Sequence, residues 1–140
     1  MGAYPATLNA ITATTSYQST PAIKPAAATI ESPLKVREAT ALDLWLEKLA
    51  YKESHNRDNV KILDVNGKFS YGCLQFQEWT FRTFGEKYGL VKPDANLEPL
   101  IYNCSLQKQI AKRMIQEDYK MWQSWYTSVM EKDLGLPPRD

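Results

Sequence analysis

The 140-residue sequence predicts an α+β chain, mostly α, with one small β-hairpin. Three observations lead there. Leu42, Trp45, Leu46 and Leu49 repeat at helical spacing. The stretch "KILDVNGKFSYG" alternates apolar and polar residues around Asn66-Gly67, a pair that favours a hairpin turn. Leu106, Ile110, Met114 and Ile115 then mark the apolar side of a second long helix.

Residues 1–38 are rich in Ala, Thr, Ser and Pro and poor in large aliphatic side chains. Such a segment buries too little surface to offset its ordering entropy, so it is expected to be a flexible tether. The competing expectation is that Ile30 to Val36 lie along the domain as an extended strip. The folded domain, 39–140, is expected to open at Thr40, whose spacing to Asp43 fits a capping pattern, with a helix running to about Ser54. After the hairpin, Gln77 to Tyr88 reads as a short helix carrying Trp79, Phe81 and Phe84, closed by Gly89. "VKPDANLEPLIYN" reads as a connection with at most one helical turn, and Ser105 to Tyr119 as the second long helix. A last aromatic helix is expected in "MWQSWYTSVMEKDLGLPPRD", stopping at Gly135 and Pro137-Pro138.

The formal net charge of +1 gives no electrostatic footprint for duplex DNA, so no nucleic-acid partner is expected. No apolar run has the length of a membrane span, and no leader pattern follows Met1; any natural signal or anchor is expected upstream. His55 is the sole histidine, which leaves metal clusters and histidine-based triads almost nothing to use, and it is expected at the surface or a cleft rim. Asp64-Val65-Asn66-Gly67 resembles a fragment of a calcium loop but lacks the remaining ligands, so neither metal nor cofactor is expected. Cys73 and Cys104 have two readings. The general tendency of free cysteine to be buried favours two small core residues; the other reading is a single disulfide, which requires an oxidising compartment.

Glu53 lies seven residues after Leu46 and eleven after Leu42, about two and three helical turns, and so shares the core-facing side of its helix. Burial there disfavours the charged carboxylate and raises its pKa. A proton held near neutral pH is what a general acid needs to protonate the leaving oxygen of a glycosidic bond. The competing reading turns Glu53 outward or pairs it with Lys52 or Arg57.

The stretch beyond Glu53 narrows the choice. Glu53-Ser54 ends a helix, and Ser70-Tyr71-Gly72-Cys73-Leu74-Gln75-Phe76 follows after a turn; then come Trp79 and Gln107-Lys108-Gln109-Ile110-Ala111. In this order, over residues 41–126, the chain resembles the lysozyme-like superfamily, in particular the lytic transglycosylases of the SLT type and the resuscitation-promoting factors. The resemblance implies a lysozyme-like fold, a catalytic acid at Glu53 and a saccharide-facing amide at Gln75. Tyr126 stands near the position of the transglycosylases' cleft tyrosine. The chain departs from the pattern in its charged Asn-Gly hairpin, in Cys73, and in the residues around Tyr126.

Independently of the family, a glutamine amide offers donors and an acceptor that suit the N-acetyl and hydroxyl groups of amino sugars. The competing reading has Gln75 capping a neighbouring backbone group. Ser70, Tyr71, Phe76 and Tyr126 complete the candidate substrate-binding set, with Trp122 and Trp125 as further aromatic platforms; the competing reading, favoured for most of these aromatics, places them in the core, where they supply packing area. Asp64 and Asp58 are the candidate second carboxylates of a two-acid hydrolase, in which the partner lies about 5 to 10 Å from the acid. Because Asp64 adjoins a hairpin turn, where polar residues serve turn geometry, a single-acid transglycosylase is favoured. It would break the MurNAc-GlcNAc β-1,4 bond of peptidoglycan glycan strands. The alternatives are a hydrolytic lysozyme or endolysin using Glu53 and an Asp, and a non-catalytic glycan-binding module. The expected setting is the cell envelope or extracellular space, and the expected state a monomer.

Overall fold

A computed structural model describes residues 37–139. Backbone contacts divide the chain between Glu38 and Ala39, and the architecture is that of the second unit. The expected tether, up to residue 36, and the alternative strip over Ile30 to Val36 lie outside the described residues.

The first helix, α1 (Ala41–Ser54), starts where Thr40 and Asp43 cap one another: Thr40 Oγ1 accepts from the Asp43 amide at 3.1 Å, and Asp43 Oδ2 from the Thr40 amide at 2.8 Å. Its predicted stripe, Leu42, Trp45, Leu46 and Leu49, is buried, each side chain contributing about 1.5–3 kcal/mol. The helix ends as His55 turns left-handed, with φ 57°. Ser54 then ties this end to the next layer by donating from Oγ to the Cys73 carbonyl at 2.9 Å.

Three short strands follow, β1 (Lys61–Leu63), β2 (Phe69–Tyr71) and β3 (Phe76–Gln77), antiparallel in the order β1-β2-β3. Lys61 faces Tyr71 across the first pair and Ser70 faces Gln77 across the second. The predicted turn forms: Gly67, at φ 82°, donates to the Asp64 carbonyl, and Asn66 Oδ1 accepts from the Lys68 amide. Two features differ from expectation. All of β1 is exposed at the edge of the sheet among the described residues. A third strand takes Phe76 and Gln77 before the next helix begins, since Gln77 completes the β2 pairing first.

Helix α2 (Glu78–Lys87) buries Phe81 but leaves Trp79 71% exposed. It is closed at Gly89, with the Leu90 amide returning to the Gly85 carbonyl. The expected helical turn in the connection is α3 (Leu97–Ile101), and the second long helix is α4 (Cys104–Glu117), capped by Asn103. It packs Ile110, Ala111, Met114 and Ile115 into the core shared with α1, Leu74, Phe76 and Phe81. Lys108–Glu47 and Lys112–Asp43 pair across the rim of this contact, where exposed ion pairs contribute about 0–1 kcal/mol.

The tail departs from the expected aromatic helix. Asp118 is extended and breaks it from α4; a 3-10 helix, Tyr119–Trp125, and a π-helical turn, Thr127–Glu131, follow. The chain then runs back along α1, with Trp45 Nε1 donating to the Gly135 carbonyl at 3.0 Å and Tyr119 Oη to that of Pro137 at 2.6 Å. The cysteines also correct the favoured reading: Cys73 and Cys104 are disulfide-bonded, because the β2–β3 corner and the start of α4 bring their Cα atoms to 5.5 Å. The architecture is therefore α+β and mostly helical, with a small antiparallel sheet at one side.

Candidate functional site

Three segments distant in sequence converge on one groove of about 550 Å³, lined among others by Glu53, Asp64, Ser70, Gln75, Phe76 and Tyr126. The end of α1 supplies the acid. The sheet supplies Asp64 and Ser70, the β2–β3 corner Gln75, and the tail the opposite wall.

Glu53 is partly buried, and its Oε2 accepts from Ser128 Oγ at 2.6 Å. No ion pair involves it among the described residues. Arg57, the alternative partner, instead donates from Nε to the Ser54 carbonyl, and Lys132 Nζ donates to the Lys52 carbonyl. Burial pushes the Glu53 pKa above the ordinary glutamate range; the Ser128 hydroxyl and the Lys132 charge counter this, while the Asp64 charge adds to it. The inward acid read from the helical spacing is thus present, and its second wall is the π turn as well as the hairpin.

Asp64 closes the turn through its main chain, while its side chain lines the groove. Its Oδ2 accepts from Ser70 Oγ and from Gln77 Nε2, the latter at 2.9 Å, so the carboxylate is fixed by the middle strand β2 and its neighbour β3. Ser70 is buried while Tyr71 is not. Gln75 sits at φ 57° and donates from Nε2 to the Gly72 carbonyl at 3.0 Å. The backbone-capping role and the groove-lining role therefore fall on the same side chain. Phe76 forms edge-to-face contacts with Phe81 and Trp125 and belongs to the core floor. Tyr126 is 51% exposed and stacks on Trp122 with ring centroids 6.1 Å apart, giving the groove an apolar rim. Trp125 is buried beneath, donating from Nε1 to the Leu74 carbonyl.

Two candidates fall elsewhere. Strand alternation turns Tyr71 to the opposite face from Ser70; it lines a separate groove with Glu78, Trp79 and Tyr102, and its hydroxyl donates to Glu78. Asp58 is exposed in the turn after α1 and is not a lining residue of the Glu53 groove. His55, at the surface as expected, packs edge-on against Tyr51.

Sequence reasoning missed Ser128, Gln77 and Lys132, and singled out Gln107 only as part of a motif, without a role. Gln77 was within reach, since pairing with Ser70 follows once a third strand is drawn. Ser128 carries no local signal, its partner lying 75 residues away. Gln107 is completely buried and acts beneath the groove: Oε1 accepts from the Leu74 amide, and Nε2 donates to the Tyr71 and Ile101 carbonyls. It satisfies the corner on which Gln75 stands. Gly72 is required there, because at φ 78° a side chain is strained and a Cβ would collide with the Gln107 amide.

Among the described residues no cluster of His, Cys, Asp or Glu has the arrangement of a metal site, and no helix is long and apolar enough to cross a membrane. No protein-family model matches the chain, and no curated protein or solved structure matches it significantly.

Proposed function

We propose that the chain is a lysozyme-like, peptidoglycan-cleaving muramidase that breaks the MurNAc-GlcNAc β-1,4 bond with Glu53 as general acid. The single observation that carries the reading is Glu53 itself. It is a carboxyl group with a raised pKa, held by Ser128 at the wall of a groove lined otherwise by amides, hydroxyls and aromatic rings, together with the charged side chains of Asp64 and Lys132. Such a mixture suits amino sugars, which present hydroxyl and N-acetyl groups along their edges and apolar faces to aromatic rings.

In the transglycosylase reading, protonated Glu53 gives its proton to the glycosidic oxygen as the C1–O bond breaks. The carboxylate so formed takes the proton of the muramyl 6-hydroxyl, whose oxygen closes on C1 to give an anhydro ring. A specific observation favours a second reading: Asp64 lines the same groove, oriented by Ser70 and Gln77. Held in that way it suits the partner carboxylate of a hydrolase, which steadies the positive charge developing at C1 or activates water. The geometry at Asp64 removes the reason for preferring a single acid, and the products decide between the two.

The disulfide supports a workplace in the cell envelope or outside the cell, where oxidising conditions preserve such bonds. The partner proposed is the peptidoglycan glycan strand, met by a monomer.

The test is mass spectrometry of purified peptidoglycan after incubation with wild-type protein, Glu53→Gln and Asp64→Asn. Anhydro-muramyl ends that vanish only in Glu53→Gln support transglycosylation. Reducing ends lost in both variants support the paired-carboxylate hydrolase. Loss of a general acid is expected to cost roughly 10²–10⁴ in rate. Wild-type protein that yields no product but retains glycan binding would make the domain a binding module and sink the enzyme reading.

A further inference from the structure

We propose that Ser128 is the positioning residue of Glu53, and that the π turn exists at this point of the chain to deliver it. The inference rests on the muramidase reading for its catalytic meaning, but the contact itself stands independently. Ser128 is fully buried, in a five-residue π-helical segment. Its hydroxyl reaches across from the tail to Glu53 Oε2 at 2.6 Å, a short, charge-assisted distance. Single π turns are uncommon and recur at functional sites, because the wider turn moves one side chain out of helical register. Here the displaced register has an identifiable result: of two neighbouring side chains, Thr127 lines the groove and Ser128 meets the acid from beneath.

A hydroxyl is a suitable partner because it can donate to Oε2 in both states of the acid. It donates to the ionised carboxylate and equally to the carbonyl oxygen of the acid whose proton is on Oε1, so one contact holds the same rotamer before and after proton transfer. Oε1 is left without a protein donor among the described residues, and it is the oxygen available to the glycosidic bond. An alanine at 128 frees the carboxyl to rotate and removes a donor that favours the charged form. The other charged or titratable groups that share the groove with Glu53 are Asp64 from the hairpin, and Tyr126 and Lys132 from the tail. All of them remain in that variant.

The experiment combines kinetics with a readout that needs no activity. In Ser128→Ala, kcat on peptidoglycan is expected to fall about tenfold, the scale of one hydrogen bond, with KM unchanged and the basic limb of the pH profile, where Glu53 loses its proton, displaced upward. Ser128→Thr, which keeps the hydroxyl, is expected to restore most of the loss. In parallel, carbon-detected NMR follows the Glu53 carboxyl across pH in wild type and Ser128→Ala; the midpoint should rise in the variant. The wild-type Ser128 Cβ resonance should titrate with the Glu53 midpoint, a measurement that survives even if the variants fail to fold. A chain that cleaves no glycan would remove the muramidase reading and leave the NMR arm as the test of the contact. The proposal is overturned if the Ser128 resonance ignores Glu53, or if a folded Ser128→Ala keeps the wild-type Glu53 midpoint and pH profile.

Discussion

Gln107→Ala offers a severe test of how the groove is supported. The wild-type amide makes three bonds to main-chain groups, to the Leu74 amide at 2.8 Å and to the Tyr71 and Ile101 carbonyls at 2.8 and 2.5 Å. Gln107 and Leu74 are both fully buried, so water does not replace what is lost. A buried main-chain group left unpaired costs about 1–3 kcal/mol, and the emptied side-chain volume adds to this. With the carbonyls counted at the lower end, the sum is about 4 kcal/mol, a large share of the roughly 5–15 kcal/mol available to a domain. The melting temperature should therefore fall by more than about 10 °C. Gln107→Leu refills the volume but makes no bonds, which separates the cavity from the polar loss. Urea melts give the free energies, and amide exchange at Leu74 reports the local effect, which should accelerate in both variants. If both variants lie within about 1 kcal/mol of wild type and Leu74 stays protected, the corner is not held by this amide.

Three further outcomes follow from the same coordinates. The Cys73–Cys104 link closes a separation of 31 residues, for which chain-entropy arguments give about 3–4 kcal/mol; reductant should lower the urea midpoint of wild type but not of a Cys73→Ala/Cys104→Ala double variant. Glu53 has a folded pKa above the ordinary 4.5, so its ionisation opposes folding. Its stabilising contribution is full below that value and is lost as pH rises through the folded one, a slope that Glu53→Gln should abolish in urea melts across pH. Tyr88 is pushed up to about 12 by burial and by its hydrogen bond to Glu117. Ultraviolet titration should show a late phenol that is lost in Tyr88→Phe, and the stability linked to Tyr88 should persist below pH 10 and disappear between 10 and 12.

Much of the fold was legible because its signals are local. The Thr40–Asp43 cap, the Asn66-Gly67 turn and the Gly89 stop each act within a few residues, and the elements begin and end close to where those residues place them. The apolar stripe of α1 also placed Glu53 correctly, since a helix fixes direction as well as spacing. What failed was decided over distance. Whether Cys73 meets Cys104 depends on how a sheet corner packs against α4. The contacts of Asp64 with Ser70 and Gln77 could not be read from the sequence, because those residues are brought together only by strand pairing. Tyr71 was misplaced for want of one strand's alternation. The tail was read as an ordinary helix because its aromatic spacing says nothing about the α1 surface it must follow, nor about the Leu74 carbonyl that Trp125 has to reach.

The return of the tail along α1 makes the Ser128–Glu53 contact depend on an intact C-terminal segment. The hydroxyl that steadies the acid sits a few positions before the anchor points at Gly135 and Pro137. One protease cut between Ser128 and Gly135 would release that strap, leaving every residue present while the carboxyl loses its orientation. If the chain is the muramidase proposed above, such a nicked form should keep its core helices and its cystine link yet lose cleavage, because only the contacts that orient the carboxyl are released.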